Sequence, residues 1–175
     1  MPIIAVALAA ALVVGGGVSV AAQSALPGQL LYPVKVHVDE NVAGAFALSN
    51  AARADWDVSL MKTRLDEAEQ LAQSGSLGAG AQTDITDNFD AHLYDVGSMI
   101  TKLKAAGDTA DAASIAAKLK TMLAVHQELL ASTSAQVSSA TQTSLIPVVA
   151  ELQGALGAAA VLSSSTGAQA SPSDK

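Results

Sequence analysis

Leu26-Pro27-Gly28-Gln29-Leu30-Leu31-Tyr32-Pro33-Val34-Lys35 divides the chain. Before it the sequence is apolar and uncharged; after it the pattern is that of amphipathic helices. Pro27-Gly28 suits the central positions of a type II turn, because Pro presets φ at the first and Gly takes positive φ at the second. Pro33 fits the first helical position, where its missing N–H is no loss. Leu31 then falls at N′ and Val36 at N4, the spacing of a hydrophobic staple. The stretch reads as the junction between a membrane-targeting segment and a folded helical domain.

Working back from the junction, Ile3 to Val14 is an unbroken apolar run, extended by Gly15-Gly16-Gly17 and Val18 to Ala22. Ser19 is its one polar side chain, and the first charge in the chain is Lys35. Two readings stay open for residues 1–22. One is a signal peptide, cleaved after the small residues Val20-Ala21-Ala22. The other is a membrane anchor, since about 20 apolar residues span a bilayer. The glycines weaken a long helix and favour cleavage. No Lys or Arg precedes the run, which departs from the usual targeting pattern.

Composition narrows the classes. The 175 residues carry a net charge of −7 with only 14% charged residues, and no basic cluster, which argues against nucleic acid and against anionic lipid as partners. The chain has no cysteine, so disulfides and thiolate chemistry are excluded. Aromatic residues make up only 3%, so the core must be Leu, Ile, Val, Met and Ala, in a slender bundle of closely approaching helices.

Working forward, Pro33 to about Leu48 is expected as a first helix with the stripe Val34, Val38, Val42 and Phe46, and Lys35 away from it. Ser49-Asn50 offers a cap for a second helix to about Gln73, with Trp56, Leu60, Met61, Leu65, Ala68, Leu71 and Ala72 inward. Gly75 to Gln82 reads as a loop. Thr83 or Asp84 caps a third helix to Ala106, with Ile85, Phe89, Leu93, Val96, Ile100 and Leu103 as its stripe, Asp84 and Asp87 in its first turn, and Gly107 at C′. Asp108 caps a fourth, whose inward face is Ile115, Leu119, Met122, Leu123, His126, Leu129 and Leu130. The short link between the third and fourth implies an antiparallel hairpin. After a polar stretch from Ser132 to Ser144, Pro147 opens a short fifth helix. That helix is weighed as a second membrane span, but Glu151 favours packing on the bundle. Ser163 to Lys175 reads as a disordered Ser- and Ala-rich tail.

The junction also carries a resemblance. Leu26-Pro27-Gly28, Leu31-Tyr32-Pro33-Val34-Lys35 and Glu40-Asn41-Val42 resemble the opening of a bacterial domain family of unknown function, found just outside the membrane behind a signal or anchor segment. Some of its members resemble the outer portion of anti-sigma-type membrane regulators. Arg64 to Leu71 is similar to the family's second helix, and Leu123 to Leu130, with His126 inside it, to its last shared helix. The likeness covers roughly residues 25 to 131. Gln29 stands where the family usually has an acidic residue. The resemblance implies a place and a fold; it implies no reaction and no catalytic residues.

The candidate chemistry is sparse. His37 is followed by Glu40 and His92 by Asp95, each at i+3, which could set two ligands on one helix face. A di-iron bundle, however, uses Glu-x-x-His with further core carboxylates, and zinc wants three or four convergent ligands. No metal site and no cofactor are therefore expected. His126 differs in falling on a core stripe, where it could act as a pH switch if an acid from another helix partners it. Acidic pairs such as Asp66-Glu67 read as solvated surface. Nucleophile elbow and phosphate loop are both missing, so no catalytic residue is named and no enzyme is expected.

The expectation is an all-α chain. Residues 1–22 are the signal peptide or anchor, 23–32 the junction, 33–162 a three- to four-helix bundle with short connections outside the membrane, and 163–175 the tail. The leading function is a non-enzymatic envelope protein, membrane-anchored or secreted, acting by binding or support. Its partner would be an envelope protein or a membrane regulator, with the membrane contacted through residues 1–22. The alternative is a sensor domain for a ligand, metal or proton. His126, His37 and His92 are the candidate switch or ligand residues.

Overall fold

The computed structural model describes residues 21–167, the last three by backbone alone, and all regular structure in them is helical. The expected signal or anchor segment lies, but for its last two residues, outside the described residues, as do residues 168–175 of the expected tail. The chain divides into two compact units, Met1–Phe46 and Ala47–Lys175.

In the first unit the turn forms as its residues dictate. Gly28 takes φ +87°, and the Gln29 N–H donates to the Leu26 carbonyl at 3.0 Å. The Gln29 side-chain oxygen accepts the Leu26 N–H at 2.9 Å, closing the turn from the other side. A carboxylate at this position would supply the same acceptor. Helix α1, Tyr32–Val34, starts one residue before Pro33, with Leu31 as its cap. A π-turn, Lys35–Asp39, and helix α2, Glu40–Gly44, continue it.

The expected stripe fails here. Val38, Val42 and Phe46 are 48%, 58% and 79% exposed, while Tyr32, Lys35 and Val36 are buried. A π-turn holds one more residue per turn than an α-turn, so it shifts the helix phase and breaks an i,i+4 stripe that crosses it. Ala25, Tyr32 and Val36 form the small core, with Leu31 against it; because Leu31 is the cap and not the residue before it, this packing lacks the expected N′–N4 staple register. Lys35, expected away from the core, is buried with its Nζ donating to the Ala25 carbonyl at 3.2 Å. The helix ends at Gly44, short of the expected Leu48.

The second unit is a bundle of α3, Asn50–Gln73, α4, Ala79–Ala106, α5, Thr109–Gln136, and α6, Ser139–Gly167. Ser49 caps α3, its hydroxyl accepting the Ala52 N–H at 3.1 Å. Helix α4 begins a turn earlier than expected, at Ala79 with Gly78 as cap, so Asp84 and Asp87 lie beyond its first turn. It ends at Gly107 with φ +86°. Asp108 takes the cap position of α5 without a side-chain hydrogen bond.

The fourth element departs most from expectation. The polar stretch is cut at Val137-Ser138, where Ser138 Oγ accepts the Thr141 N–H at 3.3 Å. One long α6 follows and passes through Pro147, which lies exposed, instead of a short helix beginning there. It also runs through Ser163 to Gly167, where a disordered tail was expected. Ser139–Ser164 is long and apolar enough to cross a membrane, with an 18-residue window of mean hydropathy 1.8, of which 28% is buried in the bundle.

Helix α3 packs chiefly on α4 and α5, and α6 chiefly on α5 and α4. The four thus stand in a square in the order α3, α4, α6, α5. The short α4–α5 link crosses its diagonal, so these two antiparallel helices are not adjacent sides of the bundle as a simple hairpin would make them. The α3/α4 and α5/α6 sides are antiparallel, and the α3/α5 and α4/α6 sides parallel. Leu65, Ile85, Phe89, Ile100, Ile115, Leu119, Leu123, Leu130, Leu145 and Leu152 are the fully buried core. Ala54, Ala68, Ala112, Ala116, Ala155 and Ala159 are buried where helices approach closely. Leu93 and Met122 are half-buried and Leu129 is 43% exposed, so they mark the edge of their predicted faces.

Candidate functional site

Both parallel sides carry polar cross-links, and His92–Asp57 links the antiparallel α3/α4 side. On α4/α6, Gln82 Nε2 donates to the Ser144 carbonyl and Lys104 Nζ to that of Leu162 at 3.3 Å. On α3/α5, Lys118 Nζ lies 2.8 and 2.9 Å from the two Asp55 oxygens. Further along α3/α5, His126 meets Asp66 and Glu69.

This last cluster follows from helix geometry. Asp66 and Glu69 are three residues apart and so share one face of α3. Parallel packing brings that face to the His126 register of α5. His126 is 3% exposed, and its Nδ1 is 2.9 Å from Glu69 Oε1. A carboxylate only accepts, so Nδ1 carries the proton and donates. Nε2 then lies 3.8 Å from Asp66 Oδ1. The other Asp66 oxygen, Oδ2, is held by Lys62 Nζ at 2.6 Å. Among the described residues, Asp66, Glu69 and His126 form the one group of three His, Asp or Glu donors whose ligand atoms lie within 4.8 Å of one another.

His126 also borders a groove of about 900 Å³ between α3 and α5. Val58, Met122 and Val125 give it apolar walls, and Lys62, Lys118 and Asp55 stand at its rim.

The other two candidates lie apart. His92 is half-buried on α4, with Nδ1 3.2 Å from Asp57 Oδ1 of α3; its partner is on the adjacent helix and not the expected Asp95. His37 is exposed on the π-turn of the first unit, where its carbonyl accepts from Asn41 Nδ2 at 3.0 Å.

Sequence reasoning missed Asp57, Asp66, Glu69 and the pair Arg64–Glu67. Arg64 is fully buried and Glu67 is 3% exposed, with Nη1 and Oε2 3.2 Å apart. Glu67 is thus core, not the solvated surface expected of Asp66-Glu67, because adjacent helical residues point about 100° apart. The i,i+3 spacing of Asp66 and Glu69 was the available signal; it acquires meaning only once α5 is placed beside it.

No protein-family model, curated protein or solved structure matches the chain.

Proposed function

We propose that the chain is a non-enzymatic binding domain of the bacterial envelope, exported or tethered by residues 1–22, whose working surface is the α3/α5 side of its bundle. The observation that carries this is the apolar groove between α3 and α5, open along one side and bounded by rim charges of both signs. Such a surface suits a weakly charged protein segment of an envelope partner or membrane regulator, and does not suit nucleic acid. The location is supported by the apolar run of residues 3–22 and by the likeness of Leu26 to Lys35 to domains that follow such segments. The test is to express the full chain in a bacterium, fractionate the cells and determine the mature N-terminus by mass spectrometry. A chain beginning near Gln23 and free of the membrane is the released form, and an intact chain in the membrane the tethered one. Recovery from the cytoplasm overturns the proposal.

A second reading is favoured by the His126–Glu69 contact between two helices: a sensor in which the charge on His126 biases how α3 and α5 pack. Asp66, Glu69 and Lys62 are the groups around the ring, all from α3. A bundle whose helix spacing is flat between pH 5 and 8, and toward metals, loses this reading.

A further inference from the structure

We infer that His126 and Asp66, with Glu69 holding the imidazole, form a binding site for a divalent first-row transition-metal ion, with zinc as the reference case. Glu69 fixes the imidazole by accepting its Nδ1–H at 2.9 Å. The proton is then committed to Nδ1, and the neutral ring presents the Nε2 lone pair to Asp66 Oδ1. In that tautomer both atoms are acceptors, an arrangement that a metal ion between them would stabilise.

The 3.8 Å separation accommodates such an ion. It is too long for a hydrogen bond, which needs about 3.2 Å or less, and too short for a bridging water, which holds two acceptors about 4.5 Å apart. Zinc binds nitrogen at about 2.0–2.1 Å and carboxylate oxygen at about 2.0–2.2 Å, which sets two donors about 3.4 Å apart at the tetrahedral angle and at most about 4.3 Å apart. The observed gap lies between those limits.

The carboxylate–imidazole–metal relay is also the arrangement that orients a ligating histidine and raises its basicity. Imidazole with carboxylate, and no sulfur, selects zinc, nickel, cobalt or copper over calcium. Lys62 occupies only the outer Asp66 oxygen, in an exposed i,i+4 pair that gives way at little cost. The remaining coordination positions would be completed by water or by a donor from a bound partner, reached from the half-exposed Asp66 side. The inference rests on the sensor reading, for which it names the effector.

The experiment is thermal melting of the full chain with zinc chloride and with a chelator, paired with cobalt(II) absorption. Zinc at tenfold above its dissociation constant should raise the Tm by about 3 °C or more. Cobalt should give visible bands from a nitrogen–oxygen site. Because His126 is buried and its replacement risks unfolding, the exposed Asp66 carries the test. Asp66→Asn should lose the zinc-dependent rise while melting normally in chelator, and Glu69→Gln should weaken zinc binding. The double variant His37→Asn, His92→Asn should keep the rise. A Tm indifferent to millimolar zinc, or a rise undiminished in Asp66→Asn, overturns the site. Zinc binding with no change in a spin-label distance between α3 and α5 would uphold the site and sink the sensor reading. A distance that answers pH without zinc binding would do the reverse.

Discussion

Asp90 of α4 and Glu151 of α6 bring two carboxyl groups together, an arrangement that favours a proton held between them. The Glu151 carboxyl is accordingly raised above its ordinary value of 4.5, first by its hydrogen bonding with Asp90, then by burial, then by the Asp90 charge. A carboxyl raised in the folded state binds its proton more tightly there than in the unfolded chain. Its contribution is therefore complete below the ordinary value and is lost as pH rises through the raised one. Near neutrality the two groups repel across the parallel side.

It follows that Glu151→Gln should stabilise the protein at pH 7, by less than about 1 kcal/mol because the pair is partly solvated. The advantage should fade as pH falls through the raised value, where folded wild type regains its proton, and be gone below 4.5. Thermal melts of both proteins across pH 3 to 8, compared pairwise, check this. A variant advantage that grew toward acid would contradict it.

The buried pair Arg64–Glu67 should show strong coupling. Replacing Glu67 alone by Met leaves a fully buried guanidinium without that carboxylate, and should cost about 3–5 kcal/mol in urea unfolding. Replacing both by Met should cost far less, since an apolar pair of similar volume avoids desolvating two charges. A double-mutant cycle reads the difference. If the two single losses simply add, the ion pair is not what holds these side chains.

Two glycines should respond in opposite directions to alanine. Gly107 has φ +86° and open space where a Cβ would go, so Gly107→Ala meets backbone strain alone and should cost about 1–2 kcal/mol. Gly154 lies exposed within α6, again with nothing near a new Cβ, so Gly154→Ala should gain about 0.5–1 kcal/mol through helix propensity. Equilibrium unfolding of the two variants is the measurement.

The Ser49 cap is a fourth test. Its hydroxyl accepts one of the first N–H groups of α3, so Ser49→Ala should cost about 1 kcal/mol, and Ser49→Asp should restore most of it. Failure of Asp to rescue would mean that the loss arises elsewhere than the cap.

These elements also show what the sequence made legible. The α3 cap at Ser49, the α4 stop at Gly107 and the inward faces of α3 to α5 were readable because each rests on local chemistry, on a hydroxyl, a positive φ or a 3.6-residue period. Two errors came from treating local signals as sufficient. Pro147 looked like a helix start, yet α6 carries it inside because its exposed side tolerates one lost bond. Val34, Val38, Val42 and Phe46 made a regular stripe, yet the Lys35–Asp39 π-turn interrupts its phase. The candidate site was legible only by half. His126 stood out as a polar group on an apolar stripe, whereas its partners depend on the parallel register of α3 and α5, which no spacing within either helix encodes.

The diagonal α4–α5 link has a consequence for the order of assembly. The closest pairings, α3 with α4 and α5 with α6, join neighbours in sequence, so each can form with little loop-closure entropy, and the parallel sides unite them afterwards. His126, Asp66 and Glu69 sit on that later seam. Anything that strengthens the seam is expected to slow unfolding and leave the folding rate nearly unchanged, so its effect belongs to the lifetime of the native bundle more than to the speed of reaching it.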